Sequence, residues 1–159
     1  MSNQLPSSAE VARSKYIALT PWSAKLLSVV ALGGMYSWFI LKFFLAEDRP
    51  ALMVLVGCLA LAGMIASMTL FVCTYSYIAN APERYIDERE LSQRNAAYFR
   101  AYQYAVVVLL LGSVGNEVAE KIGYEISAGI FGNYLLLCFT TFLIFPTTIL
   151  VWTTETVSE

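Results

Sequence analysis

Charge is absent from four long stretches of the chain, residues 26–41, 50–82, 101–116 and 126–154, and concentrated in the segments between them. A helix rises about 1.5 Å per residue, so roughly 20 apolar residues cross about 30 Å of hydrocarbon. The pattern predicts an all-α, polytopic membrane protein, a four-transmembrane-helix bundle with short loops. The first span is expected over 21–45, with Pro21 in its first turn, Trp22 at the interface, and Lys25 and Lys42 snorkelling at its two ends. After a short external turn over 46–50 (Glu47-Asp48-Arg49-Pro50), the second span is expected as one helix over 51–80. At about 45 Å that helix exceeds the hydrocarbon core and must tilt or project. A third span is expected over 98–116 and a fourth over 128–154. Pro146, inside the fourth, removes the hydrogen bond to the Phe142 carbonyl and predicts a kink, with Thr147 and Thr148 available to the freed backbone groups.

An even number of spans puts both termini on one side. That side carries seven basic residues (Arg13, Lys15, Lys25, Arg84, Arg89, Arg94, Arg100) and the other carries three (Lys42, Arg49, Lys121). The positive-inside rule then places a polar N-terminal tail (1–20), the connector at 81–97 and the C-terminal tail (155–159) in the cytoplasm. Tyr75, Tyr77, Tyr85, Tyr98, Tyr102 and Tyr104 would form an aromatic belt on that side. The first apolar run begins only at Trp22 and is too long for a cleavable signal, so the first helix reads as a signal anchor.

Composition narrows the chemistry. The 159 residues are 58% hydrophobic and 14% charged, against about 25% charged in soluble chains, and histidine is absent. Histidine-ligated haem, histidine zinc sites and Ser-His or Cys-His catalysis are thereby excluded within this chain. Cys58, Cys73 and Cys138 lie in apolar stretches with no C-x-x-C pair, and read as small buried hydrophobes. No metal or other cofactor is expected. Net charge is −2 with no basic run, so nucleic acid is not an expected partner. Gly112-Ser113-Val114-Gly115 falls one position short of a nucleophile elbow, and Ser113 reads as a packing or helix-end residue.

The connector and its continuation, residues 82–104, hold four acids (Glu83, Asp87, Glu88, Glu90) and four arginines (Arg84, Arg89, Arg94, Arg100). Glu90 and Arg94 have the favourable i,i+4 order, and a helix starting near Asp87 is expected to run on into the third span. Two roles are open to it: an ion-paired connector that fixes the second span against the third, or a surface where Asp87, Glu88, Arg89, Glu90, Arg94 and Arg100 dock a partner or anionic lipid. The run Asp87-Glu88-Arg89-Glu90, followed by Arg94-Asn95-Ala96-Ala97-Tyr98 leading into a span, resembles a pattern in small uncharacterised bacterial integral membrane proteins. Those proteins place Asp-Glu-Arg just before a transmembrane helix. The resemblance covers about an eighth of the chain and implies a bacterial inner-membrane location.

On the external side, residues 117–127 read as an amphipathic loop or short surface helix carrying an acidic patch of Glu117, Glu120 and Glu125. That face carries −2: Glu47, Asp48, Glu117, Glu120 and Glu125 against Lys42, Arg49 and Lys121. Loop solubility and a cation-attracting vestibule both fit. Small residues four apart mark faces where helices approach closely in lipid, either within the bundle of one chain or at an interface with another subunit. They are Ala24/Ser28 and Gly33/Ser37 in the first span, Ala62/Ala66 and Gly63/Ser67 in the second, and Ala128/Gly132 in the fourth.

No span has an Asp, Glu, Lys, Arg or His near its centre, which argues against ion-coupled transport, and no base, metal site or nucleophile supports an enzyme. The expectation is a non-catalytic accessory, assembly or scaffold subunit. Its partners would be membrane lipids and another membrane subunit or a second copy of itself. A small homo-oligomeric transporter or channel is the alternative.

Overall fold

A computed structural model describes residues 8–45 and 50–154, all of its regular structure helical. The helices are α1 (Ser8–Arg13), α2 (Pro21–Leu45), α3 (Pro50–Phe71), α4 (Thr74–Asn80), α5 (Glu88–Lys121) and α6 (Ala128–Thr153), with a single 3-10 turn at Glu83–Tyr85. Four of them, α2, α3, α5 and α6, are long and apolar enough to cross a membrane. The Glu47-Asp48-Arg49 turn and the 155–159 tail lie outside the described residues.

The bundle is built around α6, which packs on α2, α3, α4 and α5. Its buried side is rich in small and hydroxylated residues: Cys138, Thr141, Thr147 and Thr148 lie inside with Leu137, Ile144, Leu150 and Val151. A hydroxyl inside a membrane helix must find an acceptor, and Thr141 donates to the Leu137 carbonyl one turn back. Helix α6 continues through Pro146, and the buried hydroxyl of Thr148 finds no partner among the described residues.

The closest seam joins α2 to α3. Ala31, Gly34 and Met35 are buried along α2 and meet α3 around Gly63, Ala66 and Leu70, which are buried on their side with Val56 and Ser67. A Cβ on Gly34 would stand 2.9 Å from the Leu59 carbonyl oxygen and 3.1 Å from the Gly63 Cα. One on Gly63 would stand 3.0 Å from the Met35 nitrogen. Glycine at both positions lets two backbones touch, where dispersion between close-packed atoms holds helices together in lipid. The Ser67 hydroxyl is satisfied within the seam by the Gly63 carbonyl at 2.7 Å.

Several expectations are corrected. The packing glycine of α2 is Gly34; Gly33 is exposed with open space around it. Ser37 is half-buried, and Ala62 is exposed while Ala66 is buried. Ala128 and Gly132 are both exposed, and a Cβ on Gly132 would meet nothing, so they pack no seam within this chain. The small residue that matters near the α5–α6 contact is Gly112, where a Cβ would collide with the Tyr134 ring. Cys58 is exposed on α3 rather than buried.

The second span is not one helix over 51–80. It breaks after Phe71, and α4 starts at Thr74. The break is filled from the N-terminal segment: the Ile17 N–H donates to the Val72 carbonyl (2.9 Å) and the Thr74 N–H donates to the Ile17 carbonyl (3.1 Å). Ile17 and Cys73 thus form an isolated parallel bridge. Residues 1–20 are therefore not simply a polar tail, since 8–20 form a strap across this end of the bundle. At the other end, Glu117–Lys121 is the last turn of α5 rather than a separate surface helix. The chain then turns at Gly123, whose φ of 77° lies in the left-handed region open to glycine.

Candidate functional site

Two groups of polar residues stand at opposite ends of the bundle. The first gathers around the α4–α5 connection. Asp87 has extended backbone and caps α5, its carboxylate accepting from the Glu90 N–H at 2.6 Å while the Glu90 side chain accepts from the Asp87 N–H at 3.4 Å. This capping box satisfies two backbone donors that a helix start leaves free. Glu90 also pairs with Arg13 of α1 at 3.3 Å. Arg94, one turn on, is largely buried and donates to the Ala81 carbonyl (2.7 Å) and to Glu83 (3.2 Å). The Tyr98 hydroxyl donates to Asn80 (3.2 Å), whose amide donates in turn to the Ser76 carbonyl (2.9 Å).

Beneath these bonds lies a cluster of Tyr77, Ile78, Ala79, Ala81, Ala97 and Leu150, against which Tyr16 of the strap packs. The Tyr16 and Tyr77 rings meet edge to face at 5.3 Å, a favoured aromatic geometry. Cys73 and Tyr75 stand just beyond the α3 span; burial pushes the ionisation of both up, and the nearby Cys73 adds to the effect on Tyr75. The six connector residues therefore divide. Asp87, Glu90 and Arg94 are used inside the fold, whereas Glu88, Arg89 and Arg100 face outward.

Sequence reasoning missed the strap residues Arg13, Tyr16 and Ile17. The signal available was an apolar island, Tyr16-Ile17-Ala18-Leu19, inside a leader otherwise read as polar.

The second group lies where α2 ends and α6 begins. A cavity of about 330 Å³ opens between Phe39, Lys42, Met53, Tyr124, Ser127 and Asn133. Lys42 stands over the Trp38 ring at 5.4 Å. A cavity of about 460 Å³ is lined by Asn116, Glu120, Tyr124, Glu125 and Ile126, so two members of the expected acidic patch come together. Glu117 points elsewhere and pairs with Lys121 at 2.9 Å, as its i,i+4 spacing predicts. An apolar cavity of about 270 Å³, walled by Phe39, Gly112, Tyr124, Ile126, Ile130 and Tyr134, adjoins both.

Between the two ends, aromatic side chains bridge helices. The Tyr36 and Tyr104 hydroxyls share a hydrogen bond of 2.6 Å, and Tyr104 stacks on Phe145 at 4.3 Å. Tyr104 is thus turned toward α2 and α6, while Tyr102 is exposed. Trp152 donates to the Ser28 hydroxyl (2.8 Å), which donates to the Lys25 carbonyl (2.7 Å). Among the described residues, no group of three or more cysteine, aspartate or glutamate side chains is placed to hold a metal ion. No protein-family model, curated protein or solved structure matches the chain.

Proposed function

We propose that the chain is a non-catalytic subunit of a bacterial inner membrane, an accessory, assembly or scaffold protein acting through helix faces and its charged connector. Both termini and the connector would be cytoplasmic, as the seven-to-three basic asymmetry favours. The observation that carries this proposal is the setting of α5. Its base is anchored by a capping box and two ion pairs, yet above that base it packs chiefly on α6 alone. Tyr102, Val106 and Leu110 form an exposed stripe at four-residue spacing, and Arg89 and Arg100 are exposed nearer the foot of the helix, on its other side. A rigidly held helix with one side free and charges at its foot suits attachment to another membrane helix.

Gentle detergent extraction with Tyr102→Cys or Leu110→Cys crosslinking tests this directly. The expected product is a stoichiometric complex with a larger partner or a defined homo-oligomer, crosslinked through α5. A lone monomer under both treatments would sink the proposal. Reporter fusions test the orientation: external after Gly123, cytoplasmic after Glu90.

The acidic cavity at Glu120 and Glu125 favours a second reading, a small homo-oligomeric transporter or channel. It requires solute flux in liposomes holding only this chain, reduced by a combined Glu117→Gln and Glu120→Gln change.

A further inference from the structure

The three cavities where α2 ends and α6 begins are one composite site. Tyr124 lines all three. The apolar cavity shares Phe39 and Ile130 with the cavity that holds Lys42, and Asn116 and Ile126 with the one that holds Glu120 and Glu125. A cation and two carboxylates therefore flank a single apolar slot, with one aromatic ring between them. Each volume is near or above the lower bound of small-molecule pockets, roughly 300 Å³.

No ion pair among the described residues consumes these charges. Among the described residues Lys42 pairs with no carboxylate and meets only the Trp38 ring, while Glu120 and Glu125 enter no ion pair. Lys121, the other described lysine at this end, is held by Glu117. The described residues thus present a positive point, a negative pair and an apolar slot close to the helix ends.

We propose that this site holds one phospholipid with a primary-ammonium zwitterionic head, a phosphatidylethanolamine. Its phosphate would lie at Lys42, its ammonium at Glu120 and Glu125, and part of an acyl chain in the slot beside Gly112 and Tyr134. Charge complementarity selects this class. A phosphatidylglycerol head satisfies Lys42, but its terminal glycerol is uncharged and leaves the two carboxylates without a counter-charge. A phosphatidylcholine head has the right charges, but its methylated ammonium donates no hydrogen bond to them. The proposal rests on the chain being embedded in a membrane and not on the accessory role, so either can fail alone.

Trp38 is a built-in reporter beside Lys42. The full chain with Trp22→Phe and Trp152→Phe would be placed in phosphatidylcholine vesicles doped with brominated-chain phosphatidylethanolamine, phosphatidylglycerol or phosphatidylcholine. Bromine quenching of Trp38 then reports which lipid resides there. The expected result is half-quenching by phosphatidylethanolamine at about threefold lower mole fraction than either other lipid, the preference that exposed ion pairs supply. Lys42→Gln, and separately Glu120→Gln with Glu125→Gln, should each abolish that preference. Equal quenching by all three lipids would mean annular contact only and would overturn the site. Stronger quenching by phosphatidylglycerol, or a preference surviving the glutamate changes, would overturn the pairing of the ammonium with the carboxylates.

Discussion

The two ends of the bundle carry similar residues and use them in opposite ways. At the α4–α5 end three of the six connector charges are drawn into the fold: Arg94 to the Ala81 carbonyl, Glu90 to Arg13 and the Asp87 N–H, Asp87 to the Glu90 N–H. At the α5–α6 turn Lys42, Glu120 and Glu125 line cavities and enter no ion pair among the described residues, and the one described ion pair there, Glu117–Lys121, is local to a single turn. The difference is one of chain traffic. Four separate segments meet at the first end: the strap, the α3–α4 break, the start of α5 and the end of α6. Glu90 and Arg94 there find partners remote in sequence, and the polar groups of a broken helix find a second backbone. At the other end the described chain offers only helix ends and a short turn through Gly123, and unpaired side chains keep their freedom to meet a ligand.

If the first end is locked and the second open, substitutions should weigh unequally. Arg94→Ala should cost most, about 2 kcal/mol in detergent unfolding. It strips a charged donor from the Ala81 carbonyl, while exposed Glu83 contributes little. An unchanged unfolding midpoint would mean the lock is not a lock.

Tyr16→Ala should loosen the strap by about 1 kcal/mol, read as a roughly fivefold faster maleimide labelling of Cys73 in a Cys58→Ser background. The pH dependence follows from burial. Only the thiolate reacts, and burial keeps Cys73 protonated beyond the ordinary thiol range, so labelling of the intact chain should keep rising with pH past that range. In Tyr16→Ala the rise should come at lower pH; superimposable profiles would show that the strap does not shield the thiol.

Asp87→Ala should cost about 1 kcal/mol through loss of the cap, most of it recovered by Asp87→Ser, which retains a capping oxygen. Smallest is Lys121→Ala at the open end, about 0.3 kcal/mol, because its pair is exposed and local. A loss as large as that of Arg94→Ala would erase the contrast between the ends.

How far the sequence could be read also differs from place to place. The start of α5 was legible because its determinants are neighbours: Asp87 caps, Glu90 stands three on, and good helix formers follow. The break in the second span was not. Residues 71–75, Phe-Val-Cys-Thr-Tyr, contain no proline or glycine, and the helix yields there because Ile17, more than fifty positions earlier, supplies the hydrogen bonds. Gly33 and Gly34 are indistinguishable by spacing, and only the rotation of α2 against α3 selects Gly34.

Nor could the apolar pattern say which helix lies at the centre. Half of the most apolar window of α6 is buried, against 6% in α5, although both qualify as spans. In a membrane, hydrophobicity drives a helix into the bilayer without telling it which neighbour to choose.

The sequence by itself determined four helices long and apolar enough to cross a membrane, the cap of α5 and the local Glu117–Lys121 pair. Those depend on solvent preference and on residues within a turn of one another. Tertiary structure decided the central place of α6, the glycine contact between α2 and α3, the strap across the α3–α4 break and the joining of three cavities around Tyr124. Each of these brings together groups far apart along the chain, where close packing and hydrogen-bond geometry, rather than periodicity, choose the partner.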